Sequence, residues 1–101
     1  MTTEEEIHAA QVRLKDAALA QPMSPQGASI SAYLNTILVS CRIDALIDLW
    51  LHPPNASWTK EEALDAAMLK ALTSRAEALE SAAAAARSAI QVASSLPQRS
   101  N

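Results

Sequence analysis

Residues 30–51 read ISAYLNTILVSCRIDALIDLWL, and how this stretch is wrapped decides the fold. On a helical wheel at about 100° per residue, Ile30, Leu34, Leu38, Cys41, Ala45 and Leu49 gather in one arc. Val39, Ile43, Leu46, Ile47 and Trp50 gather in a second, on the opposite side. Two narrow polar strips separate the arcs: Ser31, Asn35 and Arg42 on one flank, Thr36, Ser40, Asp44 and Asp48 on the other. An amphipathic surface helix has one apolar stripe; this one has two and needs covering twice.

The rest of the chain is built to supply that cover only in part. It has 101 residues, half of them hydrophobic, with one Gly, no Phe, two Trp and one Tyr. Ala and Leu are abundant and Glu, Gln and Met add to them, a helix-forming composition, and no strand pattern is present. Much of the apolar half is alanine, which buries little area per residue, and burial yields about 25 cal/mol per Å². A core made this way stands barely above chain entropy, so a second chain is expected to contribute area.

Downstream, WTKEEALDAAMLKALTSRAEALESAAAAARSAIQVASSL (residues 58–96) reads as one long helix. Thr59 and Glu62 form a capping box, with Trp58 before the cap placed to pack on Ala63 or Leu64 as a hydrophobic staple. The helix is predicted over residues 60–95, stopped by Pro97, with residues 97–101 as a flexible tail. In heptads, Leu72, Leu79, Ala86 and Ala93 share one seam position, and Leu69, Ala76, Ala83 and Ile90 the other. Leucine fills the first half of the seam and alanine most of the second, which allows an unusually close helix approach. From Ser88 to Gln98 no charge appears, unlike a purely solvated helix.

Upstream, Thr3 and Glu6 form another capping box, and Glu4, Glu5 and Glu6 oppose the positive end of the helix dipole. A first helix is predicted over residues 4–20, with Ile7, Ala10, Leu14, Ala17 and Ala18 on one face. Pro22 and Pro25 interrupt it. The middle helix is placed at about residues 25–51, begun by Ser24 and Pro25 or by Ser29, and ended before His52-Pro53-Pro54. Both connectors are short, so neighbours run antiparallel. Lengths of about 26, 36–40 and 54 Å leave the third helix overhanging.

Several function classes lack their signatures. Net charge is −3 with scattered Lys and Arg, so no positive stripe exists for nucleic acid. Cys41 is the single cysteine, which suits a reducing compartment. The acidic start has no apolar core segment, so no signal peptide is expected. Asn35, Arg42, Asp44 and Asp48 break the longest apolar run, so no membrane span is expected. The chain is therefore expected in the cytoplasm, with the sequon Asn55-Ala56-Ser57 a chance match.

Chemistry-bearing residues are sparse. Glu4 and His8 stand four apart but lack further ligands for a metal. Asp44 and Asp48 form a solvated acidic strip, and Arg42 on the opposite strip is placed to meet one of them from a second chain. Cys41 lacks the nearby base and electropositive setting of a reactive thiol. Gly27 alone makes no phosphate loop. No cofactor, metal or catalytic residue is expected.

These readings converge on an all-α, three-helix, up-down-up bundle with a long C-terminal helix, completed by homodimerisation. The expected interface comprises Leu46, Trp50, Trp58, Leu79, Ala83, Ala86 and Ile90. The expected role is non-enzymatic: a protein–protein interaction module, adaptor or small regulator. The alternatives are a structural assembly subunit, such as a phage or bacterial accessory protein, and a ligand-binding bundle or enzyme.

Overall fold

The computed structural model describes residues 2–22, 27 and 29–95. They form three helices and no strand: α1 (Glu4–Leu19), α2 (Ser29–Leu51) and α3 (Lys60–Ser95). The starts of α1 and α3 follow from their caps. The Glu6 N–H donates to Thr3 Oγ1 at 3.2 Å, and the Glu62 N–H to Thr59 Oγ1 at 3.1 Å, satisfying amides that have no partner within the helix. Acidic residues occupy both first turns, as the helix dipole favours.

The middle helix begins later than residue 25. Gly27 has a φ of +67°, the left-handed region that glycine enters without penalty, and a right-handed helix cannot run through it. Its carbonyl accepts from the Ile30 N–H at 3.2 Å, so the turn leads straight into α2 at Ser29. The alternative start at Ser24 and Pro25, the stop at Pro97 and the tail 97–101 lie outside the described residues.

Helix α3 is the spine, about 54 Å long at 1.5 Å per residue, in a molecule of 70 × 28 × 22 Å. Both shorter helices pack mainly on α3 and only marginally on each other. Along α2 and α3 the contacts run in opposite senses: Asp44 meets Arg75, and further along α2 Asp48 meets Lys70. At the other end Tyr33 Oη donates to the Ala18 carbonyl at 3.3 Å, setting the start of α2 against the end of α1. The order is up, down, up.

Where the three helices meet, Ala10 and Leu14 of α1, Cys41 of α2, and Leu72 and Ala76 of α3 form the buried cluster. Ile7, Ile37, Leu38, Met68, Leu69 and Leu79 pack around it. Only Leu14, Leu72 and Cys41 among the fully buried side chains are larger than alanine. The other core positions, Ala17, Ala18, Ala45, Ala63, Ala67 and Ala83, work by letting backbones approach rather than by filling space.

Two polar ties fix α1 along the spine. Arg13 donates to Glu80 through Nε at 3.0 Å and Nη2 at 2.6 Å, the fork geometry that suits a carboxylate. The Gln21 side-chain amide donates to the carbonyls of Ala17 at 2.9 Å and Leu79 at 2.6 Å. It thereby closes an open carbonyl at the end of α1, a helix with no basic residue in its last turn.

Candidate interaction surface

The two arcs of α2 have opposite fates. Cys41 and Ala45 are buried against α3, and Ile30, Leu34, Leu38 and Leu49 are half-buried around them. The outer arc is bare: Val39, Ile43, Leu46 and Ile47 are each about half exposed, and Trp50 is 82 % exposed. Leu51, at 60 %, extends the strip past Trp50. These six side chains expose on the order of 700 Å² of largely apolar surface, beyond the few hundred Å² usual for one patch on a monomer.

Positions 39, 43, 46 and 50 alternate in spacings of four and three. That is the seam rhythm of a helix that packs along another helix. Its residues stay about half exposed or more, with Leu46 bordering a groove against the first turns of α3.

The acidic strip beside it is engaged inside the chain. Arg75 Nη2 donates to Asp44 Oδ2 at 3.0 Å and to Ser40 Oγ at 3.1 Å. Lys70 Nζ lies 3.8 Å from Asp48 Oδ1. Asp44 and Asp48, expected to receive Arg42 from a second chain, each have a cation from α3 within their own chain. Arg42 is exposed and has no ion pair among the described residues. An open groove of about 360 Å³ follows this line of charges, floored by Ala45, Ala67, Ala71 and Ala78.

At the end of α2 the chain turns through residues 52–59. The Trp58 N–H donates to the Asn55 carbonyl at 3.0 Å, and the Trp58 ring, about half exposed, lines a shallow groove with Leu49, Pro54, Ala63 and Ala67. This places Trp58 over the first turn of α3 near Ala63, where a staple belongs. On another side of the same corner, Leu46, Leu49, Pro54, Ala63 and Leu64 line a groove of about 330 Å³ with Lys60 beside it.

The expected interface residues thus divide. Leu46, Trp50 and Trp58 lie exposed around the α2–α3 corner, and Ile90, 55 % exposed, stands on the overhang of α3. Ala83 is 2 % exposed and Leu79 packs on the core cluster. Both are occupied within the chain, because the small seam residues of α3 receive the chain's own short helices. Ala86 is half-buried; from Arg87 to Ser95 every residue is exposed. The bare part of the alanine segment is therefore shorter than its full length.

Chemistry-bearing side chains do not converge. Cys41 is fully buried and donates weakly to the Ala71 carbonyl at 3.9 Å. Burial pushes its thiol up from the ordinary value, with Arg75 opposing, the reverse of an activated thiol. His8 and His52 are both exposed. Among the described residues no three of His, Cys, Asp and Glu come together as a metal site.

By length and composition α2 is long and apolar enough to cross a membrane, with a mean hydropathy of 1.4 over its best window, 11 % of it buried. Arg42 and Asp44 interrupt the apolar run, yet the mean stays high because the residues around them are Leu, Ile and Val. Asp44 and Asp48, paired with α3, tie the inner edge of α2 to a polar neighbour.

Comparison of the chain with protein-family models, with curated proteins and with solved structures gives no match.

Proposed function

We propose that this protein is a non-enzymatic helical interaction module, an adaptor or small regulator that acts as a homo-oligomer in the cytoplasm. The outer arc of α2 is the contact surface. The observation that carries this reading is the bare seam of Val39, Ile43, Leu46, Ile47 and Trp50 on a helix whose opposite face is already packed. Together with Leu51 these side chains expose on the order of 700 Å², near the ~800 Å² that each partner contributes to a stable interface. The proposal leaves out nucleic acid because the net charge is −3 and the cations are scattered along the chain, with Arg13, Lys70 and Arg75 already in ion pairs.

Sedimentation equilibrium over a wide concentration range tests the reading. A mass that rises from one chain to a closed multiple supports it; a single-chain mass at every concentration overturns it. A structural assembly subunit is the second reading, favoured by the exposed overhang from Arg87 to Ser95 with Ile90 and Val92 bare. It calls for a mass that keeps growing with concentration.

A further inference from the structure

Trp50 and the groove beside it have the form of a plug and a socket carried on one chain. Trp50 is the most exposed of the large apolar side chains among the described residues. The groove of Leu46, Leu49, Pro54, Ala63 and Leu64, about 330 Å³, has apolar walls and Lys60 at its edge. That volume lies at the lower end of small-ligand pockets and suits an indole. The chain's own indole is not among the residues lining the groove. On the wheel, Trp50 stands about 70° round from the midpoint of Leu46 and Leu49, at 100° per residue, which turns it outward past the groove.

We infer that the homo-oligomer is a two-fold dimer in which Trp50 of each chain fills the Leu46–Leu49–Pro54–Leu64 groove of the other. This inference rests on the self-association proposed above and adds its geometry. A two-fold contact is self-complementary, so the chain that gives an indole also receives one. Trp50 against Leu46 of the opposing chain places the axis level with the turn between them and makes the two α2 helices antiparallel. The ammonium of Lys60 then approaches the face of the inserted indole, a cation–π contact. Ile47, next along the seam, is covered by the same crossing, and Ile43 falls opposite the turn that follows α2 of the other chain.

A membrane is the weaker occupant. Helices that lie in the lipid interface carry Lys and Arg along their polar face, whereas α2 carries Arg42, Asp44 and Asp48, and the chain's net charge of −3 is repelled by anionic headgroups.

The test uses the full chain with Trp58→Phe, which leaves Trp50 as the single tryptophan. On raising the concentration, mass should double and Trp50 emission should shift to the blue together. Trp50→Ala should weaken dimerisation by at least about 30-fold, as truncation of a central aromatic anchor does, with the helical circular dichroism unchanged because Trp50 is 82 % exposed in its own chain. In a Cys41→Ala background, a mixture of Trp50→Cys and Leu64→Cys chains should oxidise to a mixed disulfide dimer. A dimer whose affinity is untouched by Trp50→Ala and which forms no 50–64 crosslink overturns this arrangement and leaves the interaction reading standing. A chain that stays single at every concentration overturns both. A single chain whose Trp50 emission shifts only with phosphatidylserine vesicles assigns the face to lipid and overturns the dimer.

Discussion

Leu72→Ala is the sharpest probe of how this alanine-rich core holds together. Leu72 is fully buried and belongs to the cluster of Ala10, Leu14, Cys41 and Ala76, so all three helices meet around it. Removing its outer carbons forfeits about 0.8 kcal/mol per methylene-sized group, or about 2.4 kcal/mol. The cavity left behind adds to this, at about 24 cal/mol per Å³. Ala10 and Ala76 in the cluster have no side-chain freedom with which to refill the space, so the total should reach about 3–4 kcal/mol, within the 2–5 kcal/mol range of such truncations. Against about 5–15 kcal/mol for a whole domain, that is a large share, and at about 4–8 °C per kcal/mol the melting point should fall by about 12–30 °C. Urea titrations followed by far-UV circular dichroism, at one fixed protein concentration because association shifts the midpoint, give the difference. Ile90→Ala on the overhang is the control, expected within about 0.5 kcal/mol of the parent. A Leu72→Ala loss below about 1 kcal/mol, or an equal loss for Ile90→Ala, would refute the assignment of the core to this three-helix junction.

The cap of α3 gives a second expectation: Thr59→Ala should cost about 1 kcal/mol in urea titration, since the Glu62 amide loses its acceptor. Glu80 is held below its ordinary carboxylate range first by the hydrogen bond from Arg13. Its folded pKa lies below the unfolded one, so its stabilisation is present above the unfolded value and lost as pH falls through the folded value. The parent should therefore melt above Glu80→Gln at pH 7, with the gap closing as the pH drops below about 4. Cys41 should resist iodoacetamide in the native protein and react once urea unfolds it; ready labelling at low denaturant would place the thiol outside the core. Ala83→Leu should destabilise by about 1–3 kcal/mol through overpacking, read from the same titrations; a neutral result would mean that the second half of the α3 seam is open.

The helix boundaries were legible where a hydroxyl cap marks them. Thr3 and Thr59 sit one residue before α1 and α3, and α3 runs through Ser95 as its unbroken composition implies. The two arcs of α2 were legible as well, because burial on a helix follows angle alone. What the linear pattern does not carry is how helices are set against one another. Whether Ala83 receives α1 or another chain depends on the axial offset and rotation of α3, which no local spacing encodes. The pairing of Asp44 and Asp48 with α3 had a faint signal: Lys70 and Arg75 are the only cations between Lys60 and Arg87. The late start of α2 turned on the φ of Gly27, since a glycine near a helix start fits either side of it.

Because α1 and α2 each lean on α3 and scarcely on one another, the molecule separates into two sub-assemblies with unequal histories. The α2–α3 hairpin closes across residues 52–59, whereas α1 must find Leu79 and Glu80 at sequence separations of 58 and 67 residues. Long-range contacts form late in folding and local ones early, so α1 docks onto a finished hairpin. The same order in reverse makes α1 the first piece to open, and its backbone amides should exchange with deuterium well before those of Ala67–Ala76 on the spine. An α1 that has let go meets an identical landing strip on any neighbouring copy, and two copies can then trade their amino-terminal segments while both hairpins stay folded.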